Sequence, residues 1–246
     1  MNTYNDFYDT HFQEEALILY NCWDVASAQA IEKAGARALA TSSFAIARAW
    51  GFDDGEQLPF QQNLWFLEQI RRNTTLPLTI DIEAAYSSSL ETLAANVAQF
   101  LNLGVQGINF EDRKQDTLWD ISEQSERIHT IRKIAKKEVF LNARTDLFFQ
   151  ETHHTFDLVK KALERAKAYK EAGADGIFIP GLTDLDLIQA FAEHSPLPVN
   201  IMINDDPNRY TNLKIARLSY GPTSFLNAQK QLEKIAHPIL KGRKNR

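Results

Sequence analysis

Leu78-Thr-Ile-Asp-Ile-Glu-Ala-Ala-Tyr86 is a short β-branched run that enters from Pro77 and ends on two carboxylates, Asp81 and Glu83. In a strand, residues two apart point the same way, so the reading 78–83 as a strand puts both acids on one face at its exit. Two carboxylates held together are costly unless something positive lies between them, such as a metal ion or a basic substrate group. A single strand of this kind reads equally well as a solvated turn that carries two acids by chance. The remainder of the chain repeats the arrangement, and the repetition favours a site.

Working outward, short apolar runs alternate with helical ones. Residues 1–16 form a polar lead-in, with a helix expected over Asn5–Glu15 that packs over one end of the fold. Leu17–Tyr20 is the first strand, followed by a helix Val25–Ala34 that Asp24 caps and Gly35 stops. Arg37–Ser42 is the second strand. A helix Ser43–Trp50 follows it, then a turn-rich loop 51–59, expected to be a lid hinged at Gly51 and Gly55, and a helix Phe60–Asn73. Strands follow at 78–83, 107–112, 139–146, 176–180, 198–204 and 217–221. Their helices are 89–102, 121–137 (with Ser122 as cap), 156–172, 184–193, a short one after Pro207, and Thr223–Ala236. Eight strand–helix units in 246 residues predict an α/β fold, a (β/α)8 TIM barrel formed as a single domain over 1–246. A doubly wound sheet would want a Gly-rich loop after the first strand, and Asn21-Cys-Trp-Asp24 is not one.

Composition narrows the partners. A formal charge of −5 gives no support to nucleic-acid binding, and the basic tail 238–246 reads as a solvated end. No apolar run approaches the roughly 18 residues needed to cross a bilayer, and the polar N-terminus is unlike a signal peptide. Cys22 is the only cysteine, so no intrachain disulfide forms and a reducing cytoplasm is expected.

In a parallel barrel the chemistry sits at the carboxyl ends of the strands. Those ends hold Asp24, Ser42, Ser43, Asp81, Glu83, Asn109, Glu111, Asp112, Asn142, Arg144, Asp146, Pro180, Asn200 and Asn204. Asp81, Glu83 and Glu111 can converge opposite Arg144. Hard oxygen ligands without convergent His or Cys suit Mg²⁺ or Mn²⁺ rather than zinc. Arg144 beside such an ion is a natural clamp for a substrate carboxylate or phosphonate. The rival reading is an internal ion-pair network, which is a costly way to stabilise a core. His153 and His154 near Glu151 read as solvated loop residues, Trp65 and Trp119 as packing between helix and barrel, and Asp205-Asp206-Pro207 as a helix cap close to the site.

Taken together, Trp23–Ser27, Gly51–Glu56, Thr79–Tyr86, Gly107–Asp112 and Asn142–Asp146 resemble, in this order, the signatures of the isocitrate lyase/phosphoenolpyruvate mutase superfamily. The resemblance runs from Asn21 to about Ala228 and leans to the phosphonomutase-like branch, which shares Asn142-Ala-Arg-Thr-Asp146 and Gly176-Ile-Phe-Ile-Pro-Gly-Leu182. It implies a Mg²⁺-dependent barrel that makes or breaks a C–C or C–P bond beside a 2-oxo acid, through an enolate. On that basis Asp81 would bind the metal directly, with Asp54, Glu83 and Glu111 holding water around it. Arg144 would bind the substrate carboxylate, Ser42 with Ser43 and Phe44 would cradle the oxo acid, and Asn200 would touch substrate. Arg144, Asp54 and Glu111 are the catalytic candidates.

The departures narrow the activity. The family's lyases carry an acid/base cysteine in the loop after the fourth strand, whereas Asp112–Trp119 has none. Cys22 reads as a core residue. Pro180 stands where the mutases have a histidine, and Ala85-Tyr86-Ser87 where Gly-Tyr-Gly is usual. The expected enzyme is therefore not a Cys-dependent isocitrate or methylisocitrate lyase; the alternative is a non-catalytic barrel that binds 2-oxo or dicarboxylic acids as a sensor or partner protein. A Mg²⁺-dependent aldolase outside the superfamily would need a general base that the sequence does not offer. The chain is expected to lack the long extra helix that family members exchange between subunits, which counts against the usual tetramer and leaves another homo-oligomer open.

Overall fold

Apolar strands separated by capped helices become a ring in the computed structural model, which describes residues 4–241. In chain order come α1 (Tyr4–Asp9), a 3-10 turn (Thr10–Phe12), β1 (Leu17–Leu19), α2 (Val25–Lys33), β2 (Leu39–Ala40), α3 (Ser43–Ala49) and α4 (Phe60–Arg72). Next are β3 (Leu78–Asp81), α5 (Leu90–Leu101), β4 (Gly107–Glu111), β5 (Arg113–Lys114), β6 (Thr117–Leu118), α6 (Ile121–Ala135) and β7 (Phe140–Arg144). The chain continues with α7 (Leu147–Gln150), α8 (Phe156–Ala172), β8 (Gly176–Phe178), α9 (Leu185–His194), β9 (Val199–Met202), a 3-10 turn (Pro207–Tyr210), β10 (Arg217–Ser219) and α10 (Thr223–Lys241).

Eight strands pair in parallel in the order β1-β10-β9-β8-β7-β4-β3-β2. A parallel bridge between Cys22 and Thr41 draws the two end strands together, with Cys22 N donating to Ala40 O at 2.8 Å and Ser42 N to Cys22 O at 3.1 Å. The result is the nearly closed (β/α)8 barrel that the alternation predicted. Most strands are buried on both faces, as a parallel sheet requires, and the main core lies between them and the helices.

The lead-in covers the amino-terminal mouth. Phe7 of α1 is fully buried, meets Phe140 edge-on at 6.0 Å, and leaves His11 stacked on the other ring at 3.9 Å. Burial first, and then the charge of Arg217, push the His11 pKa down to about 3. Gly107 makes room for this plug, because a Cβ there would lie 2.8 Å from both the Phe7 ring and Thr79 Oγ1.

Several expectations are corrected. The third strand stops at Asp81, and residues 83–86 form a turn with Glu83, Ala85 and Tyr86 at φ of 51°, 62° and 55°. Glu83 is therefore placed by a left-handed turn and not by strand alternation. Asp120, not Ser122, precedes α6, and a β5–β6 hairpin occupies the loop after β4. Trp65 is 54% exposed and lies edge-on to Phe66, so it is not barrel packing, whereas Trp119 is buried with Arg127 over its ring. The last helix runs five residues further than expected, to Lys241, and exposes Leu226, Leu232, Ile235, Ile239 and Leu240. Of the expected basic tail, 238–241 belong to this helix and 242–246 lie outside the described residues.

Candidate active site

The carboxyl ends of the strands surround a cavity of about 440 Å³. Ser42, Ser43, Phe44, Asp54, Asp81 and Arg144 all line it. Each arrives by a simple local device. Asp81 ends β3, and its backbone N–H donates to Thr41 Oγ1 at 3.0 Å. The Asp81 carboxylate accepts from Ser43 Oγ at 3.0 Å and from Glu83 N at 3.1 Å. Ser42 is the N-cap of α3, its hydroxyl accepting from Ala45 N, which turns the first residues of that helix toward the cavity.

Arg144 ends β7 and gathers the acids. Its Nε and Nη2 donate to the two oxygens of Asp146 at 2.6 and 2.9 Å. Nη1 lies 3.1 Å from Glu111 and 3.5 Å from Asp81. Asp146 is in turn fixed by its backbone N–H, which donates to Asp112, while Arg165 and Tyr169 of α8 donate to the same Asp112 carboxylate. Burial opposes the Arg144 charge, but Asp146, Glu111 and Asp81 outweigh it and hold the guanidinium pKa well above its ordinary value.

The acids respond to burial in the opposite sense. Burial raises Asp81 against the pull of Arg144, and raises Glu111 well above the usual carboxylate range. Glu83 is pushed up to about 8, by burial first and then by the charges of Asp81 and Asp54. Glu83 lies behind the cavity, where it accepts from Glu56 N at 2.6 Å and Tyr86 OH at 3.1 Å. Glu111 and Asp54 border an adjoining recess together with Gly55, Glu56 and Arg113. Loop 51–59 is latched there by Glu56, whose carboxylate accepts from Tyr86 N at 2.5 Å.

Asn200 does not line the cavity. It shares a face of β9 with Met202 but lies two residues deeper, so Met202 reaches the rim in its place. Asp205 and Asp206 also stay outside the cavity wall, with Asp206 capping the turn at Pro207. His153 is exposed, and His154 bonds Phe148 O. Cys22 is fully buried, donates to Ala40 O, and has its thiol pushed up to about 12 by burial. The sequence reading missed Asn21, Arg113, Phe149, Phe178, Ser219 and Pro222 as lining residues. Ser219 and Phe178 end strands and were findable by that rule; Arg113 comes from a hairpin with no apolar pattern to announce it.

Among the described residues, no three His, Cys, Asp or Glu side chains gather closely enough to ligate one ion directly. Mg²⁺ commonly takes one or two carboxylates and completes its shell with water. Asp81 offers one such oxygen donor, and Asp54, Glu83 and Glu111 bring three further carboxyl groups close to it. The donor set fits a small, hard divalent cation.

A family profile described as phosphoenolpyruvate phosphomutase matches residues 7–240. An uncharacterized protein of Mycobacterium tuberculosis (strain ATCC 25618 / H37Rv) is 33% identical over 196 residues, covering 80% of this chain and 73% of its own length. An oxaloacetate decarboxylase of Pseudomonas savastanoi pv. phaseolicola is 26% identical over 159 residues, and the match spans only 54% of that enzyme. Among solved structures, a provisionally assigned phosphonomutase from Burkholderia cenocepacia J2315 superposes with a TM-score of 0.93 at 39% identity, over 96% of this chain and all of the other. Phosphonopyruvate hydrolase in complex with oxalate and Mg²⁺ shares the fold, with a TM-score of 0.86 at 20% identity, over 98% of this chain and 88% of that one.

Proposed function

Because the chain belongs to the phosphoenolpyruvate phosphomutase family, we propose that it is a Mg²⁺-dependent lyase or phosphonomutase-like enzyme. Its substrate would be a small 2-oxo acid, or a precursor of one, reacting at a C–C or C–P bond through an enolate. The observation that carries this reading is Arg144, held by Asp146 and set between Asp81 and Glu111 at the wall of a cavity sized for a small acid.

Each residue then has a task. Counting donors, Arg144 keeps an Nη2 hydrogen beyond those given to Asp146, Glu111 and Asp81, and it binds the substrate carboxylate. Ser42, Ser43 and Phe44 hold the other end of the acid. Asp81, with Asp54, Glu83 and Glu111 around it, would hold Mg²⁺, which supplies polarisation of the 2-oxo group and stabilises enolate charge. Glu111, whose carboxyl burial raises well above the usual range, is placed to exchange a proton beside Arg144. Loop 51–59 with its Glu56 latch excludes water. In this reading the acid/base is not a thiol, which the burial of Cys22 and the cysteine-free β5–β6 hairpin after β4 support.

The test is pyruvate release from oxaloacetate, malate-type acids and phosphonopyruvate in the presence of Mg²⁺. Replacing Arg144 by Lys breaks the fork and should cut turnover by roughly a hundredfold; unchanged turnover in that variant would overturn the assignment. One observation favours a second reading. Among the described residues the cavity wall carries no His, Lys or Cys, as suits a non-catalytic barrel that binds 2-oxo acids as a sensor, and that protein would bind oxalate yet turn over none of these substrates.

Neither nucleic acid nor membrane is part of the proposal. Among the described residues no helix is long and apolar enough to cross a membrane, and the reduced, buried Cys22 suits the cytoplasm. The exposed apolar side of α10 supports a homo-oligomer.

A further inference from the structure

Beneath the cavity lies a guanidinium that the proposed chemistry does not use. Arg217, the first residue of β10, is 1% exposed, and among the described residues no carboxylate lies within ion-pair distance of it. Its Nη2 donates to Asn109 Oδ1 at 3.2 Å, and its Nε to Ser219 Oγ at 3.4 Å. Its Nη1 is buried without a hydrogen-bond partner. An unpaired buried cation forgoes its hydration without a compensating partner. The two residues it does touch, Asn109 and Ser219, both line the cavity.

The consequence follows from donor chemistry. A guanidinium only donates, so whatever faces it must accept. An asparagine amide can turn over and exchange its oxygen for its nitrogen, and its neighbours decide which way it lies. Asn109 Oδ1 also accepts from Asn142 Nδ2 at 2.9 Å. Asn142 could serve Asn109 in either sense by turning its own amide; Arg217 could not. With its oxygen committed to Arg217, Asn109 must present its NH₂ group elsewhere, and the side it has left is the cavity. The same logic runs through Ser219, which accepts from Arg217 and so spends its proton on Asn200 Oδ1 at 3.0 Å.

We propose that Arg217 is a positioning residue that sets the polarity of the cavity floor, fixing Asn109 with its NH₂ toward the ligand so that the floor donates to an anionic oxygen. A carboxylate or enolate oxygen is thereby favoured over a group that would need an acceptor. The part of this inference that concerns the ligand rests on the active-site reading above; the orientation of Asn109 does not.

The experiment has two arms, on the full chain. Nitrogen-15 NMR follows water exchange of the Asn109 side-chain NH₂, identified as the signal pair missing from Asn109→Asp. In the wild type it should exchange readily, and in Arg217→Met, where the amide is free to turn inward, it should slow at least tenfold. A protected NH₂ in the wild type, or no change in Arg217→Met, overturns the proposal; a purely structural Arg217 would lower thermal stability and leave this exchange rate alone. Should Arg217→Met not fold, the wild-type exchange rate still decides the orientation. The second arm measures oxalate affinity with Mg²⁺ present. Arg217→Met and Asn109→Leu should each weaken it about tenfold, one hydrogen bond's worth, with no further loss in the double variant and near-normal affinity in Arg217→Lys. Additive losses would overturn the route through Asn109. No oxalate binding by the wild type would count against the active-site reading, and the exchange arm would still judge Arg217.

Discussion

Arg144 shows how one side chain organises a site. Its guanidinium is ringed by Asp146, Glu111 and Asp81, three carboxyl groups around one cation. Burial raises the pKa of Asp81 and Glu111, and the neighbouring Glu83, pushed up to about 8, keeps its proton at pH 7. At pH 7 a divalent ion arriving at Asp81 must therefore displace protons. Calorimetry of Mg²⁺ binding in buffers of different ionisation enthalpy should show a buffer-dependent heat that corresponds to proton release, and Glu83→Gln should reduce it. A heat independent of buffer would mean that the acids are already ionised. Most of this site was legible from residue type and strand-end position: Asp81, Glu111 and Arg144 meet as their i, i+2 spacing and common end suggested. Alternation gives the face of a strand and not the depth, so it does not show that Asn200 lies below the cavity wall, and Arg217 escapes the strand-end rule because it opens its strand instead of ending it.

At the scale of elements, the turn 83–86 and loop 51–59 depend on each other. Glu83, Ala85 and Tyr86 occupy the left-handed region without a glycine, at a cost of roughly 1–2 kcal/mol per residue. The surroundings hold them there. Glu56 accepts from Tyr86 N, Asn96 Nδ2 donates to Ala85 O, and Ala85 N donates to Ile82 O. The sequence revealed that glycine was missing from this turn but not that the chain would adopt the conformation regardless, because several of the bonds that enforce it come from residues 27 to 30 and 10 to 11 positions away. Glu56→Ala removes a charge-assisted hydrogen bond of about 1.5–3 kcal/mol. Backbone hydrogen exchange across 51–59 should then accelerate roughly tenfold to a hundredfold, with α8 unaffected as an internal control. Unchanged exchange would show that the loop is held by something other than Glu56.

For the whole molecule, alternation of strands and helices was enough to read the barrel, since a parallel sheet leaves few other ways to cover both faces of eight strands. The lead-in packed over one end as expected, with Phe7 filling the amino-terminal mouth. What alternation could not show is how far α10 stands clear of the barrel. Beyond Ser224 and Phe225 it buries none of its side chains, and Leu232, Ile235, Ile239 and Leu240 are all more than 60% exposed. Apolar area of this kind on one helix favours association. Light scattering should give a mass of more than one 28.0 kDa chain, and Leu232→Lys with Ile239→Lys should return it to one. A wild-type monomer would contradict the surface.

The central claim is that this barrel holds a Mg²⁺-dependent site for a planar enolate at Asp81 and Arg144. Calorimetric titration of oxalate, a flat mimic of the pyruvate enolate, with and without Mg²⁺ tests it most directly. The account predicts binding that requires Mg²⁺ and is lost in both Asp81→Ala and Arg144→Met. Absence of binding under either condition, or equal binding with and without the ion, would contradict it.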